Sequence, residues 1–263
     1  MDPDYEFLSD TAYWTAAARA RESSRADRLF NDPLAGVLSG ELGARALAAS
    51  ELAAGGENPY LPIRTRWFDR AVDFHGKNVG QLVDLGAGLD ARPFRMALPP
   101  KLRWFEVDLP EVFEKKEPAL EALGALGACA RIIVPADLRG RWSESLLGAG
   151  FEVGRPTLWL AEGLLFYLQP PTVDRLLEEA GQLSATGSRF AADVFGTALR
   201  RTRDWGPRTP FCCDDPVHLF GRAGWPEVAT AQLSPGRDTA TLNHAGATEG
   251  DPTNRTWLVV AAL

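Results

Sequence analysis

The sequence has few of the side chains from which metal centres and disulfide frameworks are built. It contains three cysteines, of which Cys212 and Cys213 are adjacent, and only three histidines. An odd cysteine count without a C-x-x-C pair disfavours both a disulfide framework and a structural zinc site. We therefore predict reduced thiols, no bound metal and a cytoplasmic location.

Long apolar segments are absent as well. No run reaches the roughly 18 apolar residues that a membrane-spanning helix needs, and the acidic start, Met1 to Glu6, lacks the apolar core of a secretory signal. The formal net charge of −7 disfavours nucleic acid as a partner, because phosphates attract basic surfaces. We therefore expect neither a membrane nor a nucleic acid among the partners.

Two familiar catalytic patterns are also missing. The G-x-S-x-G elbow that carries the nucleophile of many hydrolases does not occur. A short-chain dehydrogenase needs a lysine four residues after the tyrosine whose pKa it lowers. The four tyrosines are instead followed at that distance by Ser9, Ala17, Arg64 and Pro171. These absences disfavour both enzyme classes.

What the sequence does contain is a change of pattern near residue 78. Its 263 residues suffice for one large domain or two small ones. Helices are predicted at 11–25, 34–52, 63–74, 92–98, 111–123 and 172–183, and strands at 81–85, 102–107, 131–134, 158–161, 190–195 and 257–263. Because the strands are apolar at consecutive positions, we expect a mostly parallel sheet with helices on both faces. We divide the chain into an N-terminal helical cap, 1–77, and an α/β core, 78–263.

The most informative local motif is the turn after the first predicted strand. Gly86 and Gly88 allow a sharp turn and a close approach of the backbone to a ligand, although Ala91 replaces the third glycine of the dinucleotide-binding fingerprint. Glu106 and Asp108 follow about 20 residues later, where a carboxylate can bind the hydroxyls of a ribose. These residues fit two adenosine-containing cofactors, a nicotinamide dinucleotide and S-adenosylmethionine.

Six blocks of sequence resemble the leucine carboxyl methyltransferase-like family of class I S-adenosylmethionine-dependent methyltransferases, in particular its bacterial small-molecule branch, which includes polyketide O-methyltransferases. The blocks lie at 16–23 together with 30–33, 63–69, 83–92, 104–110, 136–138 and 161–168. The resemblance spans nearly the whole chain. It implies a Rossmann-like α/β fold: a mostly parallel, seven-stranded sheet with helices on both faces and an N-terminal helical cap.

The resemblance also implies which residues hold the methionyl half of the cofactor. Arg21 would reach the cofactor from the cap. Arg64 would bind the methionyl carboxylate, with Arg66 as the alternative if the register slips. Gly86 and Gly88 would line the cofactor.

A second group of residues would hold the adenosine and the sulfonium. The ribose would be bound by Asp108 according to the family pattern, or by Glu106 according to the usual place of acids at strand ends. Asp137 and Leu138 would flank the adenine, and the aspartate would accept a hydrogen bond from its exocyclic amine. Glu162 would close the fourth strand beside the sulfonium.

The implied reaction is methyl transfer to a carboxylate or phenolic hydroxyl of a small molecule such as a polyketide. A carboxylate is already ionised near neutral pH, whereas a phenol, with a pKa of ~10, would benefit from a base. Tyr167 would contact the acceptor or simply pack. No clear base is evident, because His218 and His244 are interpreted as surface or core histidines. We expect the loops at 200–216 and 234–254 to carry substrate contacts.

Two other functions are compatible with the sequence. The namesake of the family methylates the C-terminal carboxylate of a phosphatase subunit, so a protein carboxyl methyltransferase is one alternative. A non-catalytic binding protein with the methyltransferase fold is the other. Loss of the cofactor should show as damaged glycines or a missing strand-end acid, and all of these are intact.

Overall fold

A seven-stranded mixed sheet forms the centre of the computed structural model, which describes residues 3–202, 209–232 and 256–263. The strands are β1 (Gln81–Leu85), β2 (Arg103–Asp108), β3 (Ala130–Pro135), β4 (Thr157–Ala161), β5 (Arg189–Phe195), β6 (Glu227–Gln232) and β7 (Thr256–Ala262). Their order is β3-β2-β1-β4-β5-β7-β6. β1 to β5 run parallel to one another, and β7 runs antiparallel to both β5 and β6. The predicted mostly parallel α/β sheet is thus confirmed.

Helices precede the sheet and connect its strands. They are α1 (Pro3–Ser24), α2 (Ala35–Ala54), α3 (Tyr60–His75), α4 (Arg92–Arg95), α5 (Pro110–Ala122), α6 (Trp142–Gly148), α7 (Pro170–Leu183), α8 (Thr197–Thr202) and α9 (Pro216–Arg222). Short 3₁₀ turns lie at Gly76–Asn78 and Leu165–Tyr167. No helix in the described part of the chain combines the length and the apolar character that crossing a membrane requires.

The core lies on both faces of the sheet, because successive side chains of a strand point to opposite faces. On one face, Val83 of β1 belongs to a cluster with Trp142 of α6 and Leu177 of α7. On the other face, Leu82 belongs to a cluster with Phe68 of α3. α3, which we assigned to the cap, therefore packs directly on the sheet.

The first two helices pack mainly on each other and reach the sheet through a smaller cluster. In it, Ala16 of α1 and Leu38 of α2 lie with Leu89 and Ala91, which follow β1. α1 approaches this region closely at Gly88, where an added Cβ would lie 3.5 Å from the Cβ of Ala12. The N-terminal helix thus covers the turn after β1.

Four elements were not predicted from the sequence: α6, α8, α9 and β6. β6 lies at the edge of the sheet, and among the described strands it pairs only with β7. Its sequence, Glu227–Gln232, is partly exposed at most positions. An edge strand can be half solvated, so it lacks the continuous apolar run by which the central strands were recognised.

Candidate active site

The glycine turn lies at the carboxyl end of β1, where ligands of open α/β sheets bind. Gly86 and Gly88 have φ values of 68° and 47°, in the left-handed region that favours glycine. The Gly86 N–H donates to the carbonyl of Val107 at 2.8 Å, which ties the turn to β2. A Cβ at Gly86 would lie 2.9 Å from Cδ1 of Leu164. Both glycines therefore suit the left-handed conformation of the turn, and at Gly86 a Cβ would also displace the side chain of Leu164.

The acid beside this turn is Asp108, at the end of β2. Its carboxylate accepts hydrogen bonds from the N–H groups of Gly88 and Leu109, both at 2.7 Å. Burial raises the pKa of Asp108, and these two N–H groups oppose the shift. Each carboxylate oxygen keeps a lone pair for a hydroxyl group.

Glu106 has a different role from the one that its place near the strand end suggested. It pairs in register with Asp84 of β1, and its side chain is fully buried. Lys116 donates to its Oε2 at 2.8 Å, and Arg131 donates to both of its oxygens at 2.9 and 2.7 Å. Both oxygens of Glu106 are therefore engaged in a buried ion-pair cluster, which leaves Asp108 as the acid that faces the turn.

A second group of charges lies at the ends of β4 and β5. Arg64, from α3, donates from Nε to Oε1 of Glu162 at 3.1 Å and from Nη1 to Oδ2 of Asp193 at 3.4 Å. Asp193 is fully buried and also accepts from the N–H of Gly163 at 2.6 Å. Burial raises the pKa of Asp193, and the guanidinium of Arg64 opposes that shift. Arg64 and Glu162 thus form a cation–anion pair on the same side of the sheet as the glycine turn.

Arg92 connects this pair to the turn itself. Its guanidinium donates to Asp69 Oδ1, Asp90 Oδ2 and Glu162 Oε2, each at 2.7 Å. Asp90 ends the glycine turn, and Asp69 lies on α3. Burial alone would raise the pKa of both aspartates, but the neighbouring arginines hold both values below the usual range. Sequence reasoning did not single out Arg92, Asp69 or Asp193, although the first two fall inside blocks that resemble the family.

The structure does not bring Arg21 to the glycine turn. Its guanidinium contacts Glu51 of α2 at 2.6 Å and lines a cavity of about 460 Å³ between α1 and α2. Arg19, two residues earlier and so about 200° around the helix, donates to the carbonyl of Leu89 at 2.6 Å and to Asp32 at 2.9 Å. The cation that α1 presents to the turn is Arg19, and the prediction for Arg21 failed because it depended on the phase of the helix.

Asp137 and Leu138 follow β3, next to the end of β2. Leu138 is buried in the main core with Val107. Asp137 accepts hydrogen bonds from the backbone N–H of Arg139 at 2.8 Å and from its guanidinium at 2.9 to 3.1 Å. Because the N–H of Ala136 donates to the carbonyl of Asp108, this segment adjoins the strand-end acid. The adenine contact stays a prediction that this position permits.

Tyr167 lies in the 3₁₀ turn that follows β4. Its side chain hydrogen-bonds to Thr11 of α1, and burial raises its pKa to about 12, although nearby Arg64 opposes the shift. The phenol is therefore neutral near pH 7 and can contribute a hydrogen bond, but it is not a base there. Of the predicted substrate loops, residues 203–208 and 233–255 lie outside the described residues, as does His244.

These features suit a ligand with an adenosyl group at one end and a zwitterion at the other. The turn offers two glycines over which a ligand can approach the backbone closely, Asp108 offers acceptors for a ribose, and Arg64 with Glu162 offers one charge of each sign. Oδ2 of Asp84, two residues before Gly86, is buried and has no hydrogen-bond partner among the described residues. Such an atom is costly to bury alone, which is consistent with a polar ligand nearby.

Comparison with known proteins agrees with this chemistry. The family model described as leucine carboxyl methyltransferase matches residues 12–181. A protein of Saccharopolyspora erythraea named "Putative S-adenosyl-L-methionine-dependent methyltransferase" is 40% identical over 243 residues, which cover 82% of each chain. A protein of the same name from Mycolicibacterium paratuberculosis is 40% identical over 209 residues, or 74% of this chain and 67% of the relative.

Solved structures share the fold at low sequence identity. A "putative methyltransferase" from Thermobifida fusca has a TM-score of 0.58 at 18% identity, covering 86% of this chain and 91% of its own. A DUF574 family protein from Streptomyces avermitilis has a TM-score of 0.56 at 19% identity, with coverage of 94% and 96%. The family match extends over well more than half of the sequence. The chain therefore belongs to the leucine carboxyl methyltransferase family, and it is a methyltransferase.

Proposed function

We propose that this enzyme is an O-methyltransferase that methylates a carboxylate or phenolic hydroxyl of a small molecule, such as a polyketide. Its methyl donor is S-adenosyl-L-methionine, and the product of the donor is S-adenosyl-L-homocysteine. The observation that carries the proposal is the pair formed by Arg64 and Glu162 beside the glycine turn. One charge of each sign at that place matches the carboxylate and ammonium of the methionyl group.

The donor would be held along the carboxyl ends of four strands. Arg64 would bind its carboxylate, because a planar guanidinium forms two parallel hydrogen bonds with that group. Glu162 would bind the ammonium, Asp108 the ribose, and Asp137 the amine of the adenine. Arg21 is not part of this proposal, because it faces α2.

When bound, the donor supplies a methyl group on a positively charged sulfur. The chain contributes orientation, which by itself can account for a large share of the rate enhancement in a displacement reaction. Its carboxylates at the strand ends, Glu162 foremost, also suit the positive charge of the donor. The helix α1 packs over the turn.

An acceptor that is acidic in its own right fits the side chains described. Tyr167 is neutral near pH 7. Of the described histidines, His75 lies near Arg189 at the amino end of β5, and His218 is exposed on α9. A carboxylate, or a phenol whose ring substituents make it acidic, would arrive without a proton to remove.

The proposal extends to partners and location. The partner is a small-molecule acceptor, with neither nucleic acid nor a membrane surface involved, since the net charge is −7. A cytoplasmic location is supported by the three cysteines, none of which forms a disulfide.

Transfer of a radioactive methyl group tests the proposal directly. The protein would be incubated with labelled donor and, separately, with aromatic acids, phenols, a peptide with a free C-terminal carboxylate, and duplex DNA. We expect label in a small molecule, and alkali then separates a methyl ester, which hydrolyses, from an aryl ether, which does not. Label in the peptide alone would favour the protein carboxyl methyltransferase, and label in DNA would contradict the proposal.

A further inference from the structure

We propose that Arg92 is a positioning residue for cofactor binding: it fixes Glu162 toward the ammonium of the methionyl group and leaves Arg64 free to bind the carboxylate. This inference rests on the contact between Glu162 and the ammonium proposed above. Arg92 itself would touch no part of the cofactor. Its effect passes through the orientation of one carboxylate.

The guanidinium of Arg92 is held in a single orientation. Nε donates to Asp69 and Nη1 to Asp90, each at 2.7 Å, and Nη2 donates to Glu162 at 2.7 Å and to the carbonyl of Thr65 at 3.3 Å. All three nitrogens are thus engaged, and the side chain is only 4% exposed. Because a guanidinium is planar, fixing two of its nitrogens also fixes the third. Nη2 of Arg92 therefore stays in place if the side chain of Glu162 moves.

Arg64 is held less tightly than Arg92. Its hydrogen bonds to Glu162 and Asp193 measure 3.1 and 3.4 Å, against 2.7 Å for the bond from Arg92 to Glu162. A ligand carboxylate that binds Arg64 competes with both of these acids. Without a second cation, Glu162 would tend to stay paired with Arg64 and to compete with the ligand carboxylate for its guanidinium.

Arg92 resolves this competition by binding the other oxygen of Glu162. Oε1 accepts from Arg64 and Oε2 from Arg92. When Arg64 turns to the ligand, Oε2 remains held and Oε1 becomes available to the ammonium. The arrangement then alternates in charge, from Arg92 through Glu162 and the ammonium to the ligand carboxylate and Arg64.

The network that holds Arg92 continues into the cap. Asp69 also accepts from Arg95 at 2.6 and 2.8 Å, and Arg95 lies 3.6 Å from Asp32. Asp32 in turn pairs with Arg19 at 2.9 Å. Arg92 is therefore anchored by α3 and the cap, and its position does not depend on Glu162.

The test compares two ligands on matched variants. Arg92→Lys keeps the charge but loses the planar fork. Arg131→Lys is the control, because it makes the same change in a buried ion pair whose carboxylates are Glu106 and Glu117. Calorimetry would give the Kd of S-adenosylhomocysteine and of its deaminated analogue, in which hydrogen replaces the ammonium. The Kd of the deaminated analogue divided by the Kd of S-adenosylhomocysteine reports recognition of the ammonium alone. Thermal unfolding shows whether each variant is folded.

We expect Arg92→Lys to reduce this ratio by about tenfold, in line with a charged hydrogen bond, and Arg131→Lys to leave it unchanged. If Arg92→Lys weakens both ligands equally, Arg92 is merely structural and the inference is overturned. Glu162→Gln distinguishes a failure of the ammonium contact from a failure of the positioning role of Arg92. If Glu162→Gln leaves the ratio unchanged, the proposed ammonium contact fails. If Glu162→Gln removes the difference between the two Kd values while Arg92→Lys preserves it, the ammonium contact holds and only the role of Arg92 fails.

A gentler variant keeps the test decisive if Arg92→Lys does not fold. Asp69→Asn retains Arg92 and its charge but removes one of its anchoring carboxylates. We expect a reduction of the ratio by about threefold, since hydrogen bonds from Arg92 to Asp90 and Glu162 persist. An unchanged ratio in a folded Asp69→Asn protein would contradict a positioning role.

Discussion

The buried charged side chains of the site are stabilised by oppositely charged neighbours. Arg64 lies between Glu162 and Asp193, and Arg92 lies among three carboxylates. A buried charge is tolerated only where partners and hydrogen bonds compensate its loss of hydration. Substitutions here therefore affect both stability and ligand recognition, and matched controls are needed to separate the two.

Gly86 illustrates how conformation and space act together. Gly86→Ala would place a Cβ 2.9 Å from Leu164 in a backbone with φ of 68°, whereas Gly124→Ala, with φ of 59°, meets nothing within 4 Å. We expect Gly124→Ala to lower the free energy of unfolding by about 1 kcal/mol and Gly86→Ala by roughly 2–3 kcal/mol. Urea unfolding measures both, and equal losses would refute the steric part of the argument.

Tyr167 gives a pH-dependent prediction. Its pKa is raised to about 12 by burial, so the folded protein keeps the phenolic proton above pH 10, where the unfolded chain loses it. The stabilisation associated with this proton is complete below pH 10 and is lost as the pH rises toward 12. The free energy of unfolding of the wild type should fall more steeply between pH 10 and 12 than that of Tyr167→Phe. Parallel curves would show that the phenol is not buried as described.

At the level of elements, the phase of α1 determines which arginine serves the site. Arg19 faces the glycine turn and Arg21 faces α2. The sequence predicts a helix here correctly, but two arginines a half-turn apart cannot be assigned to faces without knowing what packs against them.

Local signals were sufficient for the glycine turn, because a short apolar run that ends in Gly86 and Gly88 needs no distant partner.

The two arginines can be distinguished experimentally. Arg19→Ala leaves the buried carboxylate of Asp32 with Arg95, 3.6 Å away, and the N–H groups of Leu34 and Ala35. It should cost about 3 kcal/mol of unfolding free energy and weaken binding of S-adenosylhomocysteine. Arg21→Ala removes a partly exposed ion pair with Glu51 and should cost less than about 1 kcal/mol. Thermal unfolding and calorimetry would test this. The reverse ranking would restore the original prediction for Arg21.

Across the whole molecule, the site is assembled from residues that are far apart in sequence. Arg64 and Glu162 are separated by 98 positions, and Arg64 and Asp193 by 129. Periodicity predicts the parallel sheet, but it cannot tell which acid at which strand end meets which arginine. The resemblance to the family supplied Arg64 and Glu162. Asp193 lay outside the matching blocks and became evident only from the sheet order, which places β5 beside β4.

The central claim is that the pair of Arg64 and Glu162 beside the glycine turn binds an adenosyl amino acid. Calorimetric titration of the wild type and of Arg64→Ala with S-adenosylhomocysteine, and with NAD as a control, tests it most directly. We expect the wild type to bind S-adenosylhomocysteine and not NAD, and we expect Arg64→Ala to weaken binding by about thirtyfold, the value of a bidentate charged contact. Folded wild-type protein that fails to bind S-adenosylhomocysteine, or an Arg64→Ala protein that binds it as tightly as the wild type, would contradict the claim.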